Sequence, residues 1–213
     1  MVQERRVRHL LATALLPLVI LGLALSACSE RPKALDGTVI PSSVISDEAM
    51  IMENTKVIGE KKWYTYQKTK DYEWYATHFL RDMRDMGGQS MEQWTIRGLS
   101  TTADPEKEWK LGVGFRVEDK VFYGDHGEQT LRRGSSSLYN IVAVGIVTDP
   151  SVVKVVGTTV NGDTVSTVPA SSCWFLVVVD TNPANGWKVV EAQNSSGSVL
   201  YTLTFKRPPE RPS

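Results

Sequence analysis

The amino-terminal segment constrains this chain most, because it decides how much of the sequence folds and on which side of a membrane. Arg5, Arg6 and Arg8 make a positive start. Leu10 to Leu25 is an apolar run of about sixteen residues, short for a spanning helix but right for the core of a signal peptide. The run ends at Leu25-Ser26-Ala27-Cys28, the lipobox order in which small residues precede a cysteine. That order predicts removal of residues 1–27 by the lipoprotein signal peptidase and a palmitate-type lipid anchor on Cys28. Arg5-Arg6 lack the surroundings of a twin-arginine signal, so the general secretory route is expected. A diacylglyceryl thioether buries many CH₂ groups and holds a protein on a membrane without spanning it. The expected location is the outer face of the cell membrane, or the outer membrane of a Gram-negative source, which Ser29 after Cys28 allows.

Two consequences follow for the mature chain. With Cys28 consumed by lipid, Cys173 is the only other cysteine, and no intramolecular disulfide can form. Cys173 opens the apolar run Cys-Trp-Phe-Leu-Val-Val-Val and reads as a buried, inert residue, since a nucleophile wants a nearby base and some exposure. Removing residues 1–27 takes three of 24 Lys and Arg and one of 24 Asp and Glu, leaving 21 against 23 and a net charge of −2. A nearly neutral chain lacks the basic stripe of a nucleic-acid binder. About 186 residues remain, enough for one fair-sized core or two small ones and too few for a two-lobed solute-binding protein.

Along the mature chain, residues 28–47 carry the lipidated cysteine and a segment with Pro32, Gly37, Pro41 and several serines, expected to be a disordered tether. Residues 48–137 read as an α+β segment. A strand is expected at Lys62–Gln67. An amphipathic helix is expected over 71–86, because Tyr72, Tyr75, Ala76, Phe79, Leu80 and Met83 recur at helical spacing and Gly87-Gly88 follows. Strands are expected at Gln93–Leu99, Trp109–Val117 and Val121–Tyr123, then an exposed loop over Gly124–Ser137.

Residues 138–206 read as β-rich. Ile141–Val147 and Cys173–Val179 are apolar on both alternating sets, as in strands covered on two faces. Val152–Val160 and Thr164–Val168 flank Asn161-Gly162, a dipeptide suited to a type I′ hairpin turn. Trp187–Ala192 and Ser198–Phe205 flank Asn194–Gly197. Residues 207–213 form a proline-rich tail. The expected fold is α+β and mainly β: one amphipathic helix followed by a multi-stranded antiparallel β sandwich or sheet.

Tyr139, Gly145-Ile146-Val147, Asp149-Pro150, Val155, Asn161-Gly162, Trp174-Phe175, Gly186, Ala192 and Gly197 through Val199-Leu200-Tyr201 carry a resemblance. Over about residues 138–206 the chain resembles the C-terminal Ig-like β domain of small uncharacterised membrane lipoproteins of Gram-positive bacteria. The resemblance implies a β domain outside the cytoplasmic membrane and implies no activity.

The chemistry-bearing residues are few. His78 and His126 are the histidines left after maturation, and neither has the spacing that brings a second imidazole or thiolate to a metal. No metal and no cofactor is expected. His78 reads as a partly buried structural residue. Asp125-His126 upstream of Ser135 lacks the strained elbow a serine nucleophile needs. Arg132 and Arg133, with His126, are the candidate binding residues, suited to an anionic partner; Glu106-Lys107-Glu108 reads as a solvated cluster. Trp94, Trp109 and Tyr123 read as core rather than as a binding surface. Two functions remain open. One is a lipid-anchored, non-enzymatic β domain that binds a protein or cell-wall component. The other is a small-ligand or hydrolytic domain with a pocket between the helix over 71–86 and the sheet.

Overall fold

The computed structural model describes residues 31–46, 56–68, 70–84, 88–104, 107–133, 136–181 and 184–205. Residues 1–27, expected to be a signal peptide, Cys28 and the proline-rich stretch 207–213 lie outside the described residues. Among the described residues no helix is long and apolar enough to cross a membrane.

Eleven strands dominate: β1 (Val57–Lys68), β2 (Tyr72–Arg81), β3 (Met91–Ser100), β4 (Trp109–Arg116), β5 (Phe122–Arg133), β6 (Ser136–Val147), β7 (Lys154–Thr159), β8 (Thr164–Thr167), β9 (Cys173–Thr181), β10 (Trp187–Gln193) and β11 (Val199–Thr204). They form three sheets, in the orders β1-β2-β3-β4, β5-β6-β9 and β11-β10-β7-β8. Every pairing among the described residues is antiparallel. The protein is mainly β, and the expected α+β character fails at the helix.

Residues 72–81, placed in a helix by their spacing, are strand β2, paired with β1 on one side and β3 on the other. The physical reason is burial on two faces. Tyr72, Trp74 and Ala76 enter one apolar cluster, while Tyr75 enters another on the opposite side. A strand with no polar face offers apolar residues at i+3 and i+4 as readily as at i+2, so the helical period was satisfied by accident. Aromatic residues and Thr77 then favour the extended state.

The second face of β1-β2-β3 is covered by residues 33–46, the segment expected to be a tether. Lys33 and Val39 bridge around a turn, and 42–46 makes a short helical turn. Ala34, Ile40 and Val44 are buried against Trp63 and Tyr75, with Leu99 alongside. Leu35 N–H donates to Trp63 O at 3.0 Å, and the Arg97 guanidinium donates to Ser43 O at 2.7 Å. Sparse apolar residues hid this packing, because only three side chains insert.

Gly124–Ser137, read as a loop, belongs to the β5–β6 hairpin, whose register runs from Phe122↔Val147 to Arg133↔Ser136. The division drawn between residues 137 and 138 therefore falls inside β6, and 33–213 form one compact unit. Of the glycines that signalled a loop, Gly124 and Gly127 serve close packing instead. Gly124 pairs with Gly145 beneath the Trp174 indole. A Cβ on Gly145 would stand 2.2 Å from Tyr123 O and 2.3 Å from the indole.

β6 and β9 are covered on both faces, as their uninterrupted apolar runs indicated. Val142, Val144, Ile146, Cys173 and Phe175 join Tyr64, Trp74, Trp94 and Trp109 in one cluster. Ile141, Ala143, Val147, Trp174 and Leu176 join Val155, Trp187, Val190 and Ala192 in the other. Trp94, Trp109 and Tyr123 are all core residues.

The β7–β8 hairpin forms around Asn161-Gly162, with Gly162 at φ +92°. Asn161 is not left-handed, however, and Gly162 N–H bonds Thr159 O while Thr159 N–H bonds Asp163 O. That is a three-residue loop, an ordinary turn closed by a left-handed glycine, rather than the two-residue type I′ turn expected. A two-residue loop with both centres left-handed occurs instead at Ser171 (φ +48°) and Ser172 (φ +64°), between Ala170 and Cys173.

Candidate functional site

Antiparallel register places side chains from four strands in one buried chain of polar contacts. His78 stands opposite Trp94 across the β2–β3 pair, and the two rings are 4.8 Å apart. Two residues before Trp94, on the same face of β3, Glu92 turns its carboxylate to His78 Nε2. Glu92 Oε1 accepts from the Tyr123 hydroxyl of β5 at 2.9 Å. On the other side of the imidazole, Nδ1 lies 3.7 Å from Cys173 Sγ at the start of β9. His78, Glu92 and Cys173 are 8%, 5% and 4% exposed.

Desolvation by burial is the largest single influence on His78 and opposes its protonation. Hydrogen bonding to Cys173 and Glu92, with the electrostatic attraction of both, outweighs it and pushes the pKa up to about 9. Burial and the neighbouring Glu92 push the Tyr123 phenol upward, so its hydroxyl stays a donor. Tyr64, on β1, completes the group. Burial first and the adjacent Cys173 second push its phenol upward. The Tyr64 hydroxyl is buried with no hydrogen-bond partner among the described residues.

Beside Cys173 lies a cleft of about 350 Å³. β1 contributes Tyr64 and Thr65, β8 contributes Ser166 and Thr167, and Val168 and Ala170 lead to Cys173, Trp174 and Phe175. Among the described residues, the lining holds hydroxyl, apolar and thiol groups but no charged side chain. Its size is at the lower end of the range for small-molecule sites. The left-handed Ser171-Ser172 turn delivers Cys173 to this wall, at a backbone cost that non-glycine residues incur in that region.

The residues singled out from the sequence fall elsewhere. His126 lies in β5, with its ring 4.7 Å from that of Phe205 and its Nδ1 3.2 Å from Asp125 Oδ1. The imidazole hydrogen bond holds the Asp125 carboxyl below its usual range. Arg132 and Arg133 pair through their backbones with Ser137 and Ser136 at the far end of β5. Their side chains, like Ser135, lie outside the described residues.

Cys173 is buried, as expected, but it has the nearby base whose absence made it seem inert. His78 is structural in position but sits in a strand between two titratable partners rather than on a helix flank. Sequence reasoning missed Glu92, Tyr64 and Tyr123 as polar partners. The Cys173–His78 contact spans 95 positions, and no local spacing encodes it. The one available signal was a glutamate inside a strand beside Trp94. Among the described residues, no three His, Cys, Asp or Glu side chains are placed to hold a metal ion.

Against known protein families, curated proteins and solved structures, the chain gives no match.

Proposed function

We propose that this chain is a lipid-anchored extracytoplasmic lipoprotein whose β body is a binding module of the cell envelope, non-catalytic in its primary role. The anchor is read from the order of positive charge, apolar run and Leu25-Ser26-Ala27-Cys28. The body, on this reading, is a layered antiparallel sandwich of Ig-like character. Two apolar clusters on opposite faces of β5-β6-β9 support that description.

The observation that carries the binding role is the uncharged cleft at Cys173. Hydroxyls of Thr65, Ser166 and Thr167 beside Val168 and Phe175 suit an uncharged group, presented by a protein or cell-wall component, that combines hydrogen-bonding atoms with apolar surface. This replaces the pocket expected beneath a helix over 71–86. The anchored position brings such partners to the cleft without electrostatic recruitment.

Two measurements test the two halves. Labelled palmitate should enter the wild-type chain and not Cys28→Ala; equal incorporation would refute the anchor. The uncharged amide para-nitroacetanilide should shift the NMR signals of Thr65 and Thr167 in the wild type and not in Val168→Trp, whose side chain would crowd the cleft. Unmoved signals at saturating amide would refute the binding site.

A further inference from the structure

Three kinds of group needed for acyl transfer meet at the wall of the cleft. Cys173 supplies a thiol on the lining, and His78 Nδ1 stands 3.7 Å from its sulfur. The opposite imidazole nitrogen is held by Glu92, which is in turn held by the Tyr123 hydroxyl. This is the nucleophile, base and orienting group of covalent catalysis, brought together from strands far apart in sequence. Tyr64 adds an independent observation. Its residue is 6% exposed and lines the cleft, its neighbour is Cys173, and its hydroxyl has no hydrogen-bond partner among the described residues. A buried hydroxyl donor without an acceptor is costly in a folded protein. A carbonyl oxygen entering the cleft would give it one.

We propose that Cys173 is an acyl acceptor: its thiol takes the acyl group of a small uncharged ester or thioester bound in the cleft. The inference rests on the reading of that cleft as a ligand site. In the step, Cys173 Sγ attacks the carbonyl carbon and a C–S bond forms. The thiol proton passes to Nδ1 of the neutral His78 imidazole, the form that accumulates as the pH rises towards 9, while Nε2–H stays hydrogen-bonded to Glu92. The carbonyl oxygen, as negative charge builds on it, accepts from the Tyr64 hydroxyl, which burial keeps protonated. The bond to the ester oxygen or thioester sulfur then breaks. The leaving group departs with that bond's electron pair and takes the proton from His78. The products are a Cys173 thioester and a free alcohol or thiol, with no change in oxidation state.

Several features of the site favour this ligand chemistry. The lining carries no charge to hold a carboxylate or phosphate, and its hydroxyls and apolar side chains suit a neutral ester. An unpartnered hydroxyl donor beside the sulfur serves a carbonyl better than a disulfide, which develops no oxyanion. Glu92 and Tyr123 do not reach the cleft lining and act as positioning residues through His78.

The test uses the full chain in detergent with para-nitrophenyl acetate, a small uncharged ester whose leaving group is coloured. Peptide mapping should find one acetyl group on Cys173 as a hydroxylamine-labile thioester, and Cys173→Ala should lack it. Tyr64→Phe removes only the unpartnered hydroxyl, so it should fold with unchanged or raised stability while acetylating Cys173 about 100-fold more slowly. Glu92→Gln should move the rise of acetylation with pH to lower pH, because the imidazole loses its charged partner and becomes neutral sooner. No acetylation of Cys173, or acetylation of Tyr64→Phe at the wild-type rate, would overturn the proposal. The para-nitroacetanilide experiment separates the failures. An amide that binds while the ester leaves Cys173 unmodified refutes the acyl acceptor and keeps the cleft; an amide that does not bind refutes the cleft itself.

Discussion

Raising the pH from 6.5 to 9 should destabilise this protein through His78. Its imidazole has an ordinary pKa of 6.5, taken as the unfolded value, and about 9 in the fold, where hydrogen bonding and electrostatic attraction to Cys173 and Glu92 overcome burial. The folded chain therefore binds a proton more tightly than the unfolded chain. A raised pKa contributes stability fully below pH 6.5 and loses it as the pH climbs through about 9. At roughly 1.4 kcal/mol per pH unit, the separation corresponds to about 3 kcal/mol. Tyr64 and Tyr123 also have raised values, but both titrate above this window. Urea melts at intervals from pH 6 to 9.5 measure the effect, and Glu92→Gln provides the comparison. Losing the charged partner should bring the His78 pKa down and flatten the slope. A wild-type stability that is flat or rises across the window, or an undiminished slope in Glu92→Gln, would refute the buried imidazolium.

Two further expectations follow from packing and turns. Ile40 is fully buried against the β1-β2-β3 sheet, so Ile40→Ala should cost about 3 kcal/mol in urea melts; an effect near zero would return 33–46 to the status of a tether. Gly162 is left-handed with open space around its Cα, so Gly162→Val should cost roughly 1–2 kcal/mol through the backbone alone. Asn161→Gly should cost about 0.5–1 kcal/mol because Asn161 is not left-handed and glycine only frees the unfolded chain; a neutral result would favour the two-residue turn.

Sequence alone determined the β body wherever one local signal had one physical meaning. Strict alternation over Trp109–Arg116 became β4, and runs apolar on both parities became β6 and β9, because only a strand covered on two faces needs apolar residues at every position. Gly162 marked its hairpin because few other residues accept its φ. Tertiary structure decided the cases in which a local signal had two meanings. The apolar residues over 72–81 fit both periods, and only pairing with β1 and β3 selected the strand. Gly124 signalled a loop, yet the Trp174 indole, distant in sequence, required its missing side chain. The polar chain from Tyr123 through Glu92 and His78 to Cys173 was the least legible. Each of its contacts crosses between strands, so its geometry is fixed by sheet register and by two sheets meeting, and no spacing along the chain records either.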